Sequence, residues 1–329
     1  MRTFAAQLWN KDKMEKVIIT GGCGFIGSHL AQKLAEWNYD VLVIDNLATG
    51  DLGNLRQEGI RLEICDILED RFTPTVLEFS PDYMIHLAAQ ANVHKSIQNF
   101  LYDEQVNVRG TLKVMDAAIQ SKVKKMIFAS SSAVYGKPEY FPIDLQHKIR
   151  PLSPYGTSKY ASELYLSLAK KLYQLDYTIL RYGNVYGPRQ NSKLEGGVVA
   201  VFSTALAQNS RPVIYGDGEQ TRDFVFVEDV VSANVQALHH GSGKTLNVSS
   251  GTQVSINELY RLMKSISGSD IDPIYVPGRE GDIRQSYLCI RETEEALQWK
   301  PVTDLKAGLR KTFEYYQSTV QDGKKEDEE

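Results

Sequence analysis

Apolar and polar positions along the 329 residues change period in a regular way. Short apolar runs, "KVIIT", "DVLVID", "RLEIC", "YMIHLA" and "KKMIFAS", are separated by stretches where apolar residues recur every three or four positions. The runs read as strands and the spaced stretches as helices, from about Phe25, near Thr75 to Phe79, and from about Glu104 to Ser121. Strands alternating with helices imply a parallel sheet covered on both faces. Another helix opens at Ser153, a favourable cap, with Pro154 at its first position. In it Ala161, Leu164, Tyr165, Leu168 and Leu172 recur at helical spacing and are predicted to be a buried stripe. A strand "YTILRYG" follows.

Beyond Tyr186 the pattern loosens, with Gly and Pro at "YGPRQNSKLEGG", "YGDGEQ" and "VPGREGD". Helices are predicted near Val198 to Gln208, Asp229 to His239 and Ile256 to Ser267. The expected division is an extension over 1–13, a first domain over 14–183, a smaller lobe over 184–317 partly interleaved with it, and a polar tail over 318–329. The fold class is α/β: a doubly wound parallel (Rossmann) sheet with a smaller α/β substrate-binding lobe.

Composition narrows the function classes. Hydrophobic residues make up 42% and charged residues 24%, enough for a substantial core. No apolar run reaches bilayer length and the first residues lack a signal-peptide core, so a cytoplasmic protein without membrane contact is expected. The net charge of −4, with dispersed basic residues, leaves no footprint for nucleic acid. Cys23, Cys65 and Cys289 stand far apart, and neither they nor the histidines, including His239-His240, have metal-ligand spacing. No metal is expected.

Two motifs carry chemistry. In "KVIITGGCGFIGSHL", Gly21, Gly24 and Gly27 lie three apart between a strand and a helix. Glycines there permit a tight turn and close approach of backbone to a pyrophosphate resting on the helix N-terminus. The next strand ends at Asp45, where a carboxylate suits ribose hydroxyls and disfavours a 2′-phosphate, so NAD is expected over NADP. The second motif is Tyr155 and Lys159, at i and i+4 near the start of their helix. An ammonium beside a phenol favours the phenolate and prepares a general base. Alone, the spacing is equally that of an ordinary helix.

Together with "HLAAQ", "FASSSAVYG", "RYGNVYGPRQ", "GGVVAVF", "GDGEQTRDFVFVEDVV" and "GREGDIRQS", these motifs resemble the extended short-chain dehydrogenase/reductase family, in its nucleotide-sugar epimerase branch, from about Lys16 to Phe313. The resemblance implies NAD-dependent inversion at C4 of a UDP-hexose through a transient 4-keto sugar, in a homodimer. Tyr155, Lys159 and Ser131 are the implied catalytic residues, with Ser132 as the alternative hydroxyl. Besides the glycines and Asp45, the implied cofactor set is Phe25, Ile26, Asn46, Asp66, Ile67, Leu87, Ala88, Ala89, Gln90 and Asn107, together with Tyr155 and Lys159.

The implied UDP-sugar set is Ser131, Ser132, Tyr155, Asn184, Val198, Tyr215, Arg222, Arg279, Asp282 and Ser286. Ser286 stands where epimerases of this kind set the width beside the sugar's C2 substituent. A structural reading competes at several positions, since arginines are commonly surface ion-pair partners and strand-end serines commonly satisfy loop backbone. Nucleotide-sugar dehydratases resemble the chain too, but carry an acid or lysine after the catalytic Ser/Thr where this chain has Ser132 and Ala133. Decarboxylation or 4-epimerisation of UDP-glucuronate is a closer rival. A non-catalytic NAD-sensing protein would be expected to lose Tyr155 or Lys159, and both are present.

Overall fold

The computed structural model describes residues 14–55, 58–192, 197–278 and 283–326, with side chains as far as 321. The expected extension over 1–13 lies outside them. The first apolar runs form strands β1 (Lys16–Thr20), β2 (Asp40–Asp45), β3 (Ile60–Ile64), β4 (Tyr83–His86), β5 (Lys125–Ser131) and β6 (Tyr177–Tyr182). The later part of the chain adds β7 (Asn184–Tyr186), β8 (Val213–Tyr215), β9 (Thr221–Arg222), β10 (Phe224–Phe226), β11 (Lys244–Val248), β12 (Val254–Ser255) and β13 (Ile274–Val276). The helices are α1 (Phe25–Glu36), α2 (Phe72–Phe79), α3 (Val93–Gln98), α4 (Phe100–Glu104), α5 (Gly110–Gln120), α6 (Pro154–Tyr173), α7 (Val198–Ala207), α8 (Val227–His239), α9 (Ile256–Ser267), α10 (Arg291–Leu297) and α11 (Leu305–Glu326).

Among the described residues the main sheet is seven-stranded and parallel, in the order β11-β6-β5-β4-β1-β2-β3. Strands buried on both faces are mostly apolar, as the central ones are, and the polar residues they do carry, such as His86 and Arg181, are hydrogen-bonded inside. One face packs on α1 and α8, with Leu30, Leu34, Val230 and Leu238 in its core. The other packs on α2, α5 and α6 through Phe72, Val114, Phe128 and Leu166. The direction of strand order reverses between β1 and β4, so the loops after these strands diverge and open a crevice at their carboxyl ends. The interleaving is literal: β11, from the later part of the chain, adds to this sheet beside β6. Helices α7, α9 and α11 enclose a separate aromatic core with Phe202, Phe226 and Phe313, flanked by the pairs β7–β10, β8–β13 and β9–β12.

Three local expectations change. The helix predicted from Glu104 to Ser121 is α4, a π turn over Gln105–Arg109, and α5. Gly110 follows the π turn where a Cβ would stand 2.5 Å from Ile67 Cδ1, so glycine lets the helix approach the loop after β3. The polar tail from 318 continues α11, whose backbone is helical to Glu326.

The stripe predicted to be buried on α6 faces outward: Leu164, Tyr165, Leu168 and Leu172 are 53%, 45%, 46% and 60% exposed. Instead α6 buries Gly156, Ser158, Lys159, Ser162, Glu163, Leu166 and Ala169. The polar members of that face are satisfied inside. Glu163 takes Arg181 in two contacts of 2.9 and 2.5 Å, and Ser162 Oγ donates to Asn107 O at 3.0 Å. With Leu112, Met115 and Ile119 of α5, Tyr165, Leu168, Leu172 and Tyr173 line an open, mostly apolar groove.

Candidate active site

A cavity of about 310 Å³ runs along the crevice between the loops after β1 and β4. The glycine loop forms one wall. Gly21 has a φ of +74°, and a Cβ there would lie 2.6 Å from Ala88 N; one on Gly27 would lie 2.2 Å from Gly21 O. Side chains are thus excluded twice, once by the β4 loop and once by the turn itself. Gly24, at the start of α1, offers no side-chain cap, which leaves first-turn amides turned towards the cavity wall formed by Gly24 to Gly27.

Asp45 lies at the end of β2, with Oδ2 accepting from Cys23 N at 2.9 Å and Oδ1 from Leu47 N at 2.8 Å. Two backbone donors hold the carboxylate beside the loop. Next to it, Asn46 donates to Asp66 at 2.6 Å, and Ile67 completes this end. The glycine cradle, the uncapped helix start and the fixed carboxylate fit a dinucleotide of the NAD type.

The floor is Leu87, Ala88, Ala89 and Gln90, and it is fastened from below. His86, buried and pushed by that burial down to about 3, is a neutral ring between Thr20 Oγ1 at 2.7 Å and Thr111 Oγ1 at 3.0 Å. Thr111 in turn donates to Asn107 O at 2.7 Å. Asn107 is buried in the π turn; its Oδ1 accepts from Gln90 N at 2.8 Å and its Nδ2 donates to Gln90 O at 2.9 Å. Asn107 therefore sits behind the cavity lining and grips the backbone of Gln90, which is in it.

At the far end stand Tyr155, Lys159, Ala129, Ser130 and Tyr182. Ser153 Oγ accepts from Gly156 N at 3.1 Å, and this cap places Tyr155 in the first turn of α6. Lys159, only 3% exposed, donates to Ala129 O at 2.8 Å, with its Nζ 4.9 Å from the centre of the Phe128 ring and 6.0 Å from that of Tyr155. Burial brings its ammonium down to about 8, so it remains mostly charged at neutral pH. A desolvated cation this close to a phenol stabilises the phenolate more strongly than it would in water.

The strand-end serines take different partners. Ser131 Oγ accepts from Ala133 N at 3.1 Å, capping a short 3₁₀ turn over Ser132–Val134. Ser130 lines the cavity, but its hydroxyl donates to Glu163 at 2.5 Å. Of the expected sugar-side residues that are among the described residues, only Tyr155 lines this cavity. Asn184 donates to Asp223 O at 3.3 Å, and Arg222 donates to Thr221 O and Ile283 O at 2.8 and 2.6 Å. Tyr215 ends β8, Val198 begins α7, and Ser286 is half-buried beside Tyr287, whose ring stacks on Phe141 at 5.6 Å. Arg279 and Asp282 lie outside the described residues.

Several lining residues carry no motif, Thr49, Asn92, Lys95, Tyr102 and Val106, and Tyr182 lies in a quoted motif without having been singled out. Lys95 and Tyr102 fall between the predicted helices, in a stretch to which the pattern assigns no element. Tyr182 sits in an apolar strand, and its hydroxyl donates to Asn234 at 2.9 Å.

Comparison with known proteins agrees with this geometry. Residues 17–249 match the NAD dependent epimerase/dehydratase family. The UDP-glucose 4-epimerase of Mycolicibacterium smegmatis is 38% identical over 312 residues, which are 93% of this chain and 100% of that one. Among solved structures, the UDP-glucose 4-epimerase of Thermotoga maritima with UDP-glucose superposes with a TM-score of 0.90 at 40% identity, over 93% of this chain and 99% of that one. A UDP-N-acetylglucosamine 4-epimerase of Methanobrevibacter ruminantium, in complex with UDP-N-acetylmuramic acid, has a TM-score of 0.89 at 36% identity, over 93% and 99%. Matched from the glycine loop through α6 and over most of its length, the chain belongs to the NAD dependent epimerase/dehydratase family.

Proposed function

We propose that this chain inverts C4 of a UDP-hexose, UDP-glucose and UDP-galactose first and their N-acetyl counterparts second, through a transient 4-keto sugar. The observation that carries this reading is the buried Lys159 beside Tyr155 at the end of a cavity that begins at the glycine loop. When bound, NAD supplies the acceptor and then the donor for the hydride at C4. Gly21, Gly24 and Gly27 with the first amides of α1 would hold its pyrophosphate, Asp45 the adenosine ribose, Asp66 and Ile67 the adenine side, and Lys159 the nicotinamide ribose.

Tyr155 takes the proton of the sugar's 4-hydroxyl and, after the ketone has turned so that its other face receives the hydride, returns that proton to the 4-oxygen. Lys159 keeps the phenol acidic enough for both transfers. A ketone that turns over cannot be held by its own hydroxyls, so the grip falls on UDP, through Asn184, Tyr215 and Arg222, with Arg279 and Asp282 beyond the described residues. Ala133 carries no proton and offers no acid for elimination of water.

The same reading sets the boundary between cofactor and sugar halves after residue 183, between β6 and β7, and makes the chain a cytoplasmic homodimer. The free cysteines fit a reducing compartment, and the exposed apolar face of α6 with its groove against α5 fits a second copy. Incubating the protein with a panel of UDP-sugars without added cofactor, followed by NMR of the products, tests the activity. Inversion at C4 is expected; a 6-deoxy-4-keto product, or a pentose from UDP-glucuronate, would replace this reading.

A further inference from the structure

Four charged side chains are buried around the cavity end of α6: Lys159, Arg181, Glu163 and Asp103. Burial without compensation is costly, so each charge needs an account. Glu163 and Arg181 account for each other, through contacts of 2.9 and 2.5 Å, with Ser130 and Tyr135 supplying the remaining hydrogen bonds. That leaves one cation and one anion.

Asp103, 1% exposed on α4, accepts through Oδ1 from Gln90 Nε2 at 2.8 Å and Asn107 Nδ2 at 3.0 Å. Its Oδ2 is buried and has no hydrogen-bond partner among the described residues. Asn107 Nδ2 also reaches Ser158 Oγ at 3.3 Å, the residue before Lys159, so the hydrogen-bond network of the carboxylate joins α4 and the π turn to the buried face of α6 that carries Lys159. We propose that Asp103 is a positioning residue of the active site: it ties Gln90 and Asn107 beneath the cavity floor and supplies the buried counter-charge that keeps Lys159 an ammonium. This rests on the proposed proton chemistry for its consequence in turnover, but not for the charge balance itself.

The other groups facing Lys159 do not substitute. Tyr155 and Glu163 are on its own helix, the latter committed to Arg181, and His86 of β4 is neutral. Burial lowers Lys159; the Asp103 charge opposes that fall first, and Glu163, already paired with Arg181, opposes it second. Removing the charge therefore moves the loss of the Lys159 proton to lower pH.

Asp103→Asn keeps the shape and removes the charge. In NAD-free protein, the pH dependence of Lys159 modification by a small amine-reactive reagent, read by peptide mass, should have its midpoint about one pH unit lower than wild type. The alkaline limb of kcat should move the same way, and Asp103→Glu should restore most of both. An unchanged midpoint in Asp103→Asn overturns the proposal. Should that variant fail to fold, Asp103→Ser removes the same charge with a smaller side chain, and the midpoint of Lys159 modification should fall in it as well; an unmoved midpoint overturns the proposal equally. Wild-type protein that turns over no UDP-sugar but shows these shifts would refute the proposed activity and leave the role of Asp103 standing.

Discussion

The two faces of α6 are built the opposite way from an ordinary surface helix. Its inward face buries Ser158, Lys159, Ser162 and Glu163; its outward face exposes Leu164, Tyr165, Leu168, Leu172 and Tyr173. An apolar stripe normally faces the core because burial there is worth about 25 cal/mol per Å². Here the sheet side holds Lys159, which lines the cavity, and the polar groups packed around it. They can be buried because each has a partner: Ala129 O for Lys159, Arg181 for Glu163, and Asn107 O for Ser162. The contrast shows that amphipathicity tells which residues share a face, whereas the partners available inside decide which face is turned in.

The largest effect should come from breaking the inward face. Tyr155→Phe removes the general base and should lower kcat by about a hundredfold to ten-thousandfold, while nucleotide released on denaturation shows NAD still bound. Full retained rate would show that the buried polar face is architecture and not chemistry. The outward face is broken by Leu168→Glu combined with Leu172→Glu. Two carboxylates in a buried seam cost several kcal/mol, so sedimentation should show monomer where wild type shows dimer. A double variant with the wild-type sedimentation coefficient would mean that the stripe covers nothing.

The smallest effect sharpens the comparison from outside α6, where selectivity rather than chemistry is set. Ser286→Tyr should fill space beside the sugar's C2 substituent and reduce kcat/KM for the N-acetyl sugars by about tenfold or more relative to the plain ones. An equal ratio for the two pairs would remove Ser286 from the pocket.

The parts of the site legible in the sequence are those whose geometry is local. The Gly21-Gly24-Gly27 spacing describes one turn, Asp45 ends the next strand, and Tyr155 with Lys159 is one turn of helix; all of them line the same cavity. Asp103 was less visible. It lies four residues before Asn107, on the same side of its helix, but no pattern marks that side as inward. Its role depends on the loop after β4 and on α6 arriving against it, and these are distant in sequence. Tyr182 and Lys95 were hidden for the same reason. Val198, Tyr215 and Ser286 were singled out by resemblance alone, and they stand outside the cavity described here.

By itself the sequence determined the alternation of strands and helices, the phosphate-type turn and the pairing of a phenol with an amine. Each of these is set by periodicity or by steric rules within a few residues of chain. Tertiary structure alone decided that β11 returns to the main sheet, that the apolar stripe of α6 faces out, and that Asp103 and Lys159 are both buried. Those outcomes depend on which desolvated groups find partners across long sequence separations, a balance of burial and hydrogen bonding that no local pattern encodes.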